Sequence, residues 1–339
     1  MIEIDGSFGE GGGQILRTAT ALAAVKKIPC RVFNIRKGRE KPGLQTQHLL
    51  GLRALAEICN GKLEGDFLNS TEIKFYPGEI TKEKITIKIP TAGSITLILQ
   101  ALIPVCIFAK DPIEIYFDGG ATDTFFSPTI DYFRYVFLKT LEKMKAKVEI
   151  KILKRGYYPE GGAKVKVKIY PSTLKPINLI EKGNIKKILI ISGASLSLKN
   201  RKVAERQMLG AKEILGRLDF KVENEINYHE SQSPGSYICI IAEFEHCLFG
   251  TDNVGTLGKR AEEVGKEAAL NLIQEQKSDA CVDKHLADHL IPYMALSQGK
   301  SQIKVSQITE HCKTNMKITE RFIKDGKFKI KENIISWIK

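Results

Sequence analysis

QILRTATALAAV (14–25), CRVFNI (30–35), RKGREKPGLQTQ (36–47) and HLLGLRALAEIC (48–59) form the stretch that decides the fold. It reads as an apolar helix, a short strand, a polar glycine-containing turn and a second helix. The same order returns in SITLILQALIPVCIFA (94–109), IEIYF (113–117), DGGATDTFFSP (118–128) and TIDYFRYVFLKTLEKM (129–144). A third copy runs through HLADHLIPYMALS (285–297), QIKVSQI (302–308), TEHCKTN (309–315) and MKITERFI (316–323). The strands of the three copies begin at Cys30, Ile113 and Gln302, spacings of 83 and 189 residues, so something domain-sized precedes the third. The first two copies end in alternating strands, EIKFYPG (72–78) and AKVKVKIYP (163–171), as a sheet with one solvated face requires.

The predicted fold class is therefore α/β (α+β): three βαβα-plus-hairpin units with their helices packed inward, and an inserted smaller α/β domain. The insert spans 181–276, with KKILIIS (186–192) and YICIIAEFE (237–245) as strands and KVAERQMLGAKEILGRL (202–218) and GKRAEEVGKEAALNLIQEQ (258–276) as helices. Residues 1–180 and 277–339 make the large domain. Pro176 and the polar QEQKSD stretch mark the crossings.

Composition narrows the function classes. A chain of 339 residues with 43% hydrophobic content supports two or three ordinary folded cores, and a soluble globular protein is expected. MIEIDG lacks the basic and apolar regions of a secretory signal, and 94–109 is too short to span a bilayer, so a cytoplasmic location is expected. Seven scattered cysteines without a C-x-x-C pair argue against a disulfide framework and for reduced thiols. A net charge of +13 draws polyanions, which makes nucleic acid a plausible partner.

Four segments could carry chemistry. GSFGEGGGQILRTA (6–19) sets glycines and Glu10 before a helix bearing Arg17, which suits either a phosphate or a tight turn; no Lys-Ser or Lys-Thr follows, so it is not a Walker loop. NIRKGREKPGLQTQH (34–48) groups Arg36, Lys37, Arg39 and Lys41 around Gly38, a cluster suited to phosphate oxygens or to a solvated loop. HLADH (285–289) places His285 and His289 on one helix face, but Leu286 stands where a metalloprotease needs glutamate and no third ligand is visible. In TEHCKTN, His311 is read in a polar turn as a candidate nucleophile, with Cys312 as the alternative.

Taken together, GEGGGQILR (9–17), IRKGREKPGLQTQH (35–48), AGSITLILQ (92–100), RGYYPEGG (155–162), HLADHLIPYMAL (285–296) and EHCKTNMKITERF (310–322) resemble the RNA 3′-terminal phosphate cyclase family across the whole chain. The resemblance implies ATP-dependent conversion of RNA 3′-phosphate ends to 2′,3′-cyclic phosphates, with release of AMP and diphosphate. It implies that His311 Nε2 attacks the α-phosphorus of ATP, that Glu10 holds Mg²⁺ or Mn²⁺, and that Arg17 contacts phosphate. Arg36, Arg39 and Gln47 match positions near the phosphates. Gln100 and the run His285, Leu286, Ala287, Asp288 and His289 match nucleotide-binding positions, with Pro128, Tyr132 and His285 lining the adenine. His285 stands where the family often has a tyrosine, and His289 where it often has an amide. The partners this implies are RNA with a 3′-terminal phosphate and no membrane; a homodimer is an expectation with no motif behind it. Two alternatives stand beside this reading: a non-catalytic cyclase-like RNA-binding scaffold, whose known examples lack the histidine of the EHCKTN turn, and an enolpyruvyl transferase, which has no use for that segment.

Overall fold

The glycines of residues 6–13 let two distant elements close on the first helix. A Cβ on Gly13 would sit 2.2 Å from His48 Nε2, and one on Gly9, whose φ is 59°, would sit 2.3 Å from Thr314 Oγ1. Only glycine permits both approaches. The structure, a computed structural model, describes residues 1–216 and 221–339; Arg217 and Leu218, the end of the helix expected over 202–218, lie outside the described residues.

The first sheet is built from β1 (Ile2–Asp5), β2 (Cys30–Phe33), β3 (Lys62–Glu64) and β4 (Ile73–Tyr76), with α1 (Gly13–Lys26) and α2 (Thr46–Ile58) between strands. β1 pairs parallel with β2, β4 antiparallel with β2, and β3 antiparallel with β4, giving the order β1-β2-β4-β3. The next segment supplies β5 (Lys84–Ser94), α3 (Ile95–Cys106) and β6 (Ile113–Ala121). It continues through α4 (Ile130–Tyr132), a π-helical stretch Phe133–Leu138, α5 (Lys139–Lys143), β7 (Lys147–Lys154) and β8 (Lys164–Tyr170). Its order is β5-β6-β8-β7 with the same senses of pairing.

After β9 (Asn178–Leu179) comes a differently ordered sheet. Its elements are β10 (Ile185–Ser195), α6 (Val203–Leu215), β11 (Val222–His229), β12 (Ser236–Phe244), β13 (Leu248–Val254) and α7 (Ala261–Gln276), arranged β11-β10-β12-β13. The chain then returns through α8 (Lys284–Leu296), β14 (Ser301–Lys304), α9 (Glu310–Phe322), β15 (Lys327–Lys331) and β16 (Ile334–Ile338), closing the order β9-β14-β16-β15. The fold is thus mixed α/β with four small mixed sheets.

Helices meet in the middle: α1 packs on α3 and α9, α2 on α3, and α8 on α9. From Thr18 to Ala24, α1 carries only Thr, Ala and Leu, all buried, and these small side chains allow close helix contact. Strand alternation does the complementary work. In β5, Ile85, Ile87 and Ile89 point inward while Lys84, Thr86 and Lys88 face water. All seven cysteines are free and buried, as the scattered spacing predicted. Among the described residues no helix is long and apolar enough to cross a membrane.

The sheet β11-β10-β12-β13 is fastened to the second by buried polar groups. Arg155 bonds Asp123 Oδ2 at 2.9 Å and Asp131 Oδ2 at 2.5 Å, with its guanidinium 4.0 Å from the centre of the Tyr237 ring. On β13, Asp252 Oδ2 accepts the Thr129 N–H at 2.6 Å.

Two local readings need correction. TEHCKTN is not a turn: Thr309 caps α9, its hydroxyl accepting the Cys312 N–H at 3.1 Å, and Glu310 to Asn315 form the helix's first turns. The cap satisfies an otherwise orphaned N–H, and Glu310 complements the positive helix end. DGG does not begin a turn either, since β6 runs on to Ala121 with Gly119 and Gly120 at φ 98° and 79°.

Candidate active site

His311 sits in the first turn of α9, where free backbone N–H groups and the helix dipole favour an anion. Its Nε2 lies 2.9 Å from Glu10 Oε2, and its Nδ1 lies 2.5 Å from Gln14 Oε1. The glycine segment before α1 delivers Glu10, and the first turn of α1 delivers Gln14. Arg39 reaches across from the loop after β2: its Nη2 donates to the Glu10 carbonyl at 3.2 Å and stands 3.9 Å from Glu10 Oε2. His311 and Glu10 keep 39% and 40% of their side-chain surface open, so the pair is reachable from solvent.

Beneath them runs a second layer. Gln14 Nε2 donates to Asp288 Oδ1 and, at 3.2 Å, to the His311 carbonyl. Asn315 Nδ2 donates to the same Asp288 oxygen at 2.6 Å, and Thr18 Oγ1 donates to Asn315 Oδ1 at 2.6 Å. Arg17 lies beside Asp288 without an ion pair among the described residues, and burial pulls its pKa down to about 10 against the pull of Asp288. Burial pushes the Asp288 carboxyl up to about 7, opposed by Arg17 and by the Asn315 and Gln14 hydrogen bonds. Both groups line a narrow cavity of about 30 Å³ with Gln14, Gln100, His289 and Asn315. That space suits a water.

His311 is held below its ordinary pKa, chiefly by burial and then by Arg17, Arg39 and His285, while Glu10 opposes the shift. A neutral imidazole on a helix N-terminus among arginines has the chemistry a nucleophile toward an anionic electrophile needs. Cys312 cannot take that part: it is fully buried, and burial pushes its thiol up to about 12.

A family model described as RNA 3′-terminal phosphate cyclase matches residues 8–330. The chain belongs to the RNA 3′-terminal phosphate cyclase family. It is 46% identical to the RNA 3′-terminal phosphate cyclase of Pyrococcus furiosus, covering 95% of this chain and 93% of that protein. The proteins of the same name from Pyrococcus abyssi and Sulfolobus acidocaldarius are 44% and 43% identical, each over 95% of this chain and over 93% and 95% of their own lengths. A solved EPSP synthase from Acinetobacter baumannii aligns with 96% of this chain and 44% of its own at a TM-score of 0.38 and 10% identity, too low to inform the fold.

The other residues to which the cyclase family points are distributed unevenly. Arg36, at φ 53°, donates through Nη1 to the Lys41 carbonyl at 2.5 Å and the Gly43 carbonyl at 3.3 Å, so it shapes the basic loop as well as carrying charge. Gln47 Oε1 accepts the Ser94 N–H at 3.0 Å, tying the first sheet's α2 to the start of α3. Gln100 and His289 meet at 2.9 Å, and burial drives the His289 ring down to about 3, hence neutral. His285 is exposed, as a base-stacking ring would need to be.

Three expected contacts differ. Leu286 and Ala287 are fully buried, and their side chains belong to the core, because a helix turns these two positions away from the face shared by His285, Asp288 and His289. Tyr132 is buried as well: its hydroxyl donates to Asp283 Oδ1 at 2.7 Å, beneath the α8 N-terminus that Asp283 caps. Pro128 accepts the Thr96 hydroxyl through its carbonyl at 2.9 Å and walls the entry to α3.

Sequence reasoning missed Gln14, Thr18 and Asn315. A signal was there: Gln14 and Thr18 share the α1 face of Arg17, and Asn315 follows His311 by four residues on α9.

Proposed function

We propose that this protein converts RNA 3′-phosphate ends to 2′,3′-cyclic phosphates at the expense of ATP, through a covalent histidine–AMP intermediate. His311 Nε2 attacks the α-phosphorus and the bond to diphosphate breaks. AMP then passes to an oxygen of the RNA 3′-phosphate, forming an anhydride. The adjacent 2′-hydroxyl attacks the 3′-phosphorus, and AMP leaves. Adenylation is what makes the phosphate reactive, since a monoester oxygen is a poor leaving group until it belongs to an anhydride.

One observation carries this reading: His311 is bonded through Nδ1 to Gln14 and turns Nε2 at a helix N-terminus toward Glu10, whose carboxylate Arg39 also approaches. Arg17, Arg36 and Arg39 supply positive charge for phosphates, and Gln100, Asp288, His289, His285, Pro128 and Gln47 surround the approach for the nucleotide, with Tyr132 supporting the α8 N-terminus from below. The names of the relatives agree with the substrate.

A divalent cation, Mg²⁺ or Mn²⁺, fits at Glu10. Among the described residues no group of three or more His, Cys, Asp and Glu side chains stands ready to hold a metal, so the cation would share a single carboxylate with phosphate oxygens and water, the usual manner of Mg²⁺. When bound it would neutralise phosphate charge.

Repeats complete the reading. The three sheets ordered β1-β2-β4-β3, β5-β6-β8-β7 and β9-β14-β16-β15 are copies of one unit forming the body, 1–180 and 277–339, into which 181–276 is inserted; their shared strand order supports this.

Incubation with α-labelled ATP and a divalent metal should leave label on the protein in an acid-labile, alkali-stable bond, and a 3′-phosphorylated oligonucleotide should discharge it. His311→Ala should carry no label. Label retained by that variant would remove the nucleophile.

A further inference from the structure

The loop between β6 and α4 carries Phe125 and Phe126 in succession, and Phe126 is fully exposed with its backbone at φ 59°. A left-handed conformation is an outlier for a bulky residue, and an aromatic ring left in water gains nothing from burial. Neither backbone preference nor packing accounts for phenylalanine at this position. Phe125, 38% exposed, meets Tyr158 edge to face with ring centres 6.0 Å apart, and Tyr158 is itself 61% exposed. Two loops therefore bring three aromatic side chains into water together.

Their bases are held firmly and adjoin the active site. Two residues past Phe126, the Pro128 carbonyl accepts the Thr96 hydroxyl at the start of α3, and Gln100 follows one turn later in the wall of the His289 and Asp288 cavity. Thr129 N–H is fixed by Asp252, and Glu160 N–H donates to Ser233 Oγ at 3.1 Å just beyond Tyr158. The loop base is thus one hydrogen bond and one helical turn from the cavity wall, while Phe126 stands in water.

We propose that Phe125, Phe126 and Tyr158 form a stacking platform for unpaired bases of the RNA strand just upstream of its 3′-phosphate. The proposal rests on the cyclase reading of the His311 site. Every base offers a π-face, so aromatic stacking grips a strand without reading its sequence, which suits an enzyme that recognises an end. The net charge of +13 adds long-range attraction for the same polyanion.

The test is binding of a fluorescent single-stranded RNA oligonucleotide with a 3′-phosphate to ATP-free protein at fixed salt. Phe126→Ala, and Phe125→Ala combined with Tyr158→Ala, should each weaken binding about tenfold. An oligonucleotide lacking its last few upstream bases should bind wild-type protein as weakly as the intact strand binds the variants, and the variants should not distinguish the two. Phe126→Asn, which tolerates the left-handed backbone, should lose affinity with a melting temperature unchanged or raised. Labelling from ATP should be unaffected in all of them. Unchanged RNA affinity in the variants overturns the platform, and does so in favour of a protein contact if their mass in solution falls. If the variants weaken binding but wild-type protein binds 3′-hydroxyl and 3′-phosphate strands equally, the platform stands and the reading of the His311 site fails.

Discussion

Gln14 Oε1 and His311 Nδ1 lie 2.5 Å apart across 297 residues of sequence, and this contact sets the chemistry of the ring. The Gln14 amide cannot turn round, because its Nε2 already donates to Asp288 and to the His311 carbonyl. Its oxygen therefore faces the imidazole and Nδ1 carries the proton, so Nε2 holds the lone pair, and it is this atom that the Glu10 carboxylate covers at 2.9 Å.

Gln14→Leu should slow single-turnover labelling from ATP by about 10- to 100-fold while the protein stays folded, the usual cost of losing a group that orients a functional histidine. Gln14→Glu should instead shift the pH profile of labelling upward, because an anion beside Nδ1 favours the imidazolium. A Leu variant with an unchanged rate and profile would show that the tautomer is set elsewhere.

Acidification should reveal the depressed pKa of His311. Burial, Arg17, Arg39 and His285 hold it below 6.5, so the ring is mostly neutral at pH 7 and the labelling rate should reach half its plateau only below pH 6.5. Arg39→Gln removes one of those causes and should move the acid limb to higher pH. Rapid-quench labelling between pH 5 and 8 measures both.

Arg155→Met should destabilise the protein by about 3–5 kcal/mol in urea unfolding, since it leaves Asp123 and Asp131 enclosed without their shared cation. Adding Asp123→Asn should recover part of the loss. Additive losses in the double variant would mean that the three groups are not one unit.

How much of this was legible follows from where each signal resides. IEIYF and ITLILQ show their period within a few residues, so helices and central strands of the repeated pattern could be read directly. β11 could not: VENEINYH is polar on both faces because it is a sheet edge beside β10. The start of α9 was hidden because Thr309 caps a polar turn and the first long apolar side chain is Met316. His311, Glu10 and Arg39 were named from local motifs and stand together in space. Gln14 and Asn315 shared a helix face with Arg17 and His311, but their partner Asp288 is set only by the packing of α1 and α8 against α9, which no local pattern reports.

Arg17 offers a test of the anion site that needs no turnover. It is half-buried beside Asp288 with no ion pair among the described residues, and burial lowers its pKa to about 10. Diphosphate should raise the melting temperature of wild-type protein, by the equivalent of about 2.7 kcal/mol at a concentration a hundred times its Kd. Arg17→Met should itself melt at or above the wild-type temperature, having lost an uncompensated charge, and should no longer respond to diphosphate. An equal response in both proteins would place the anion elsewhere.

Asp288 should show stability held back by function. Its carboxyl titrates near 3.8 when unfolded and at about 7 when folded, so the fold penalises the ionised form. That penalty is absent below pH 3.8, grows between 3.8 and 7, and is complete above 7. The full linkage is about 4 kcal/mol, and partial contact with water reduces it to about 2. Asp288→Asn keeps an oxygen where Gln14 and Asn315 donate, and it removes only the charge. The variant should therefore gain about 2 kcal/mol at pH 8 and nothing at pH 4, read from thermal melts at both values. An equal gain at the two pH values would trace the effect to packing, and no gain at pH 8 would mean that the carboxylate pays no burial cost beside Arg17.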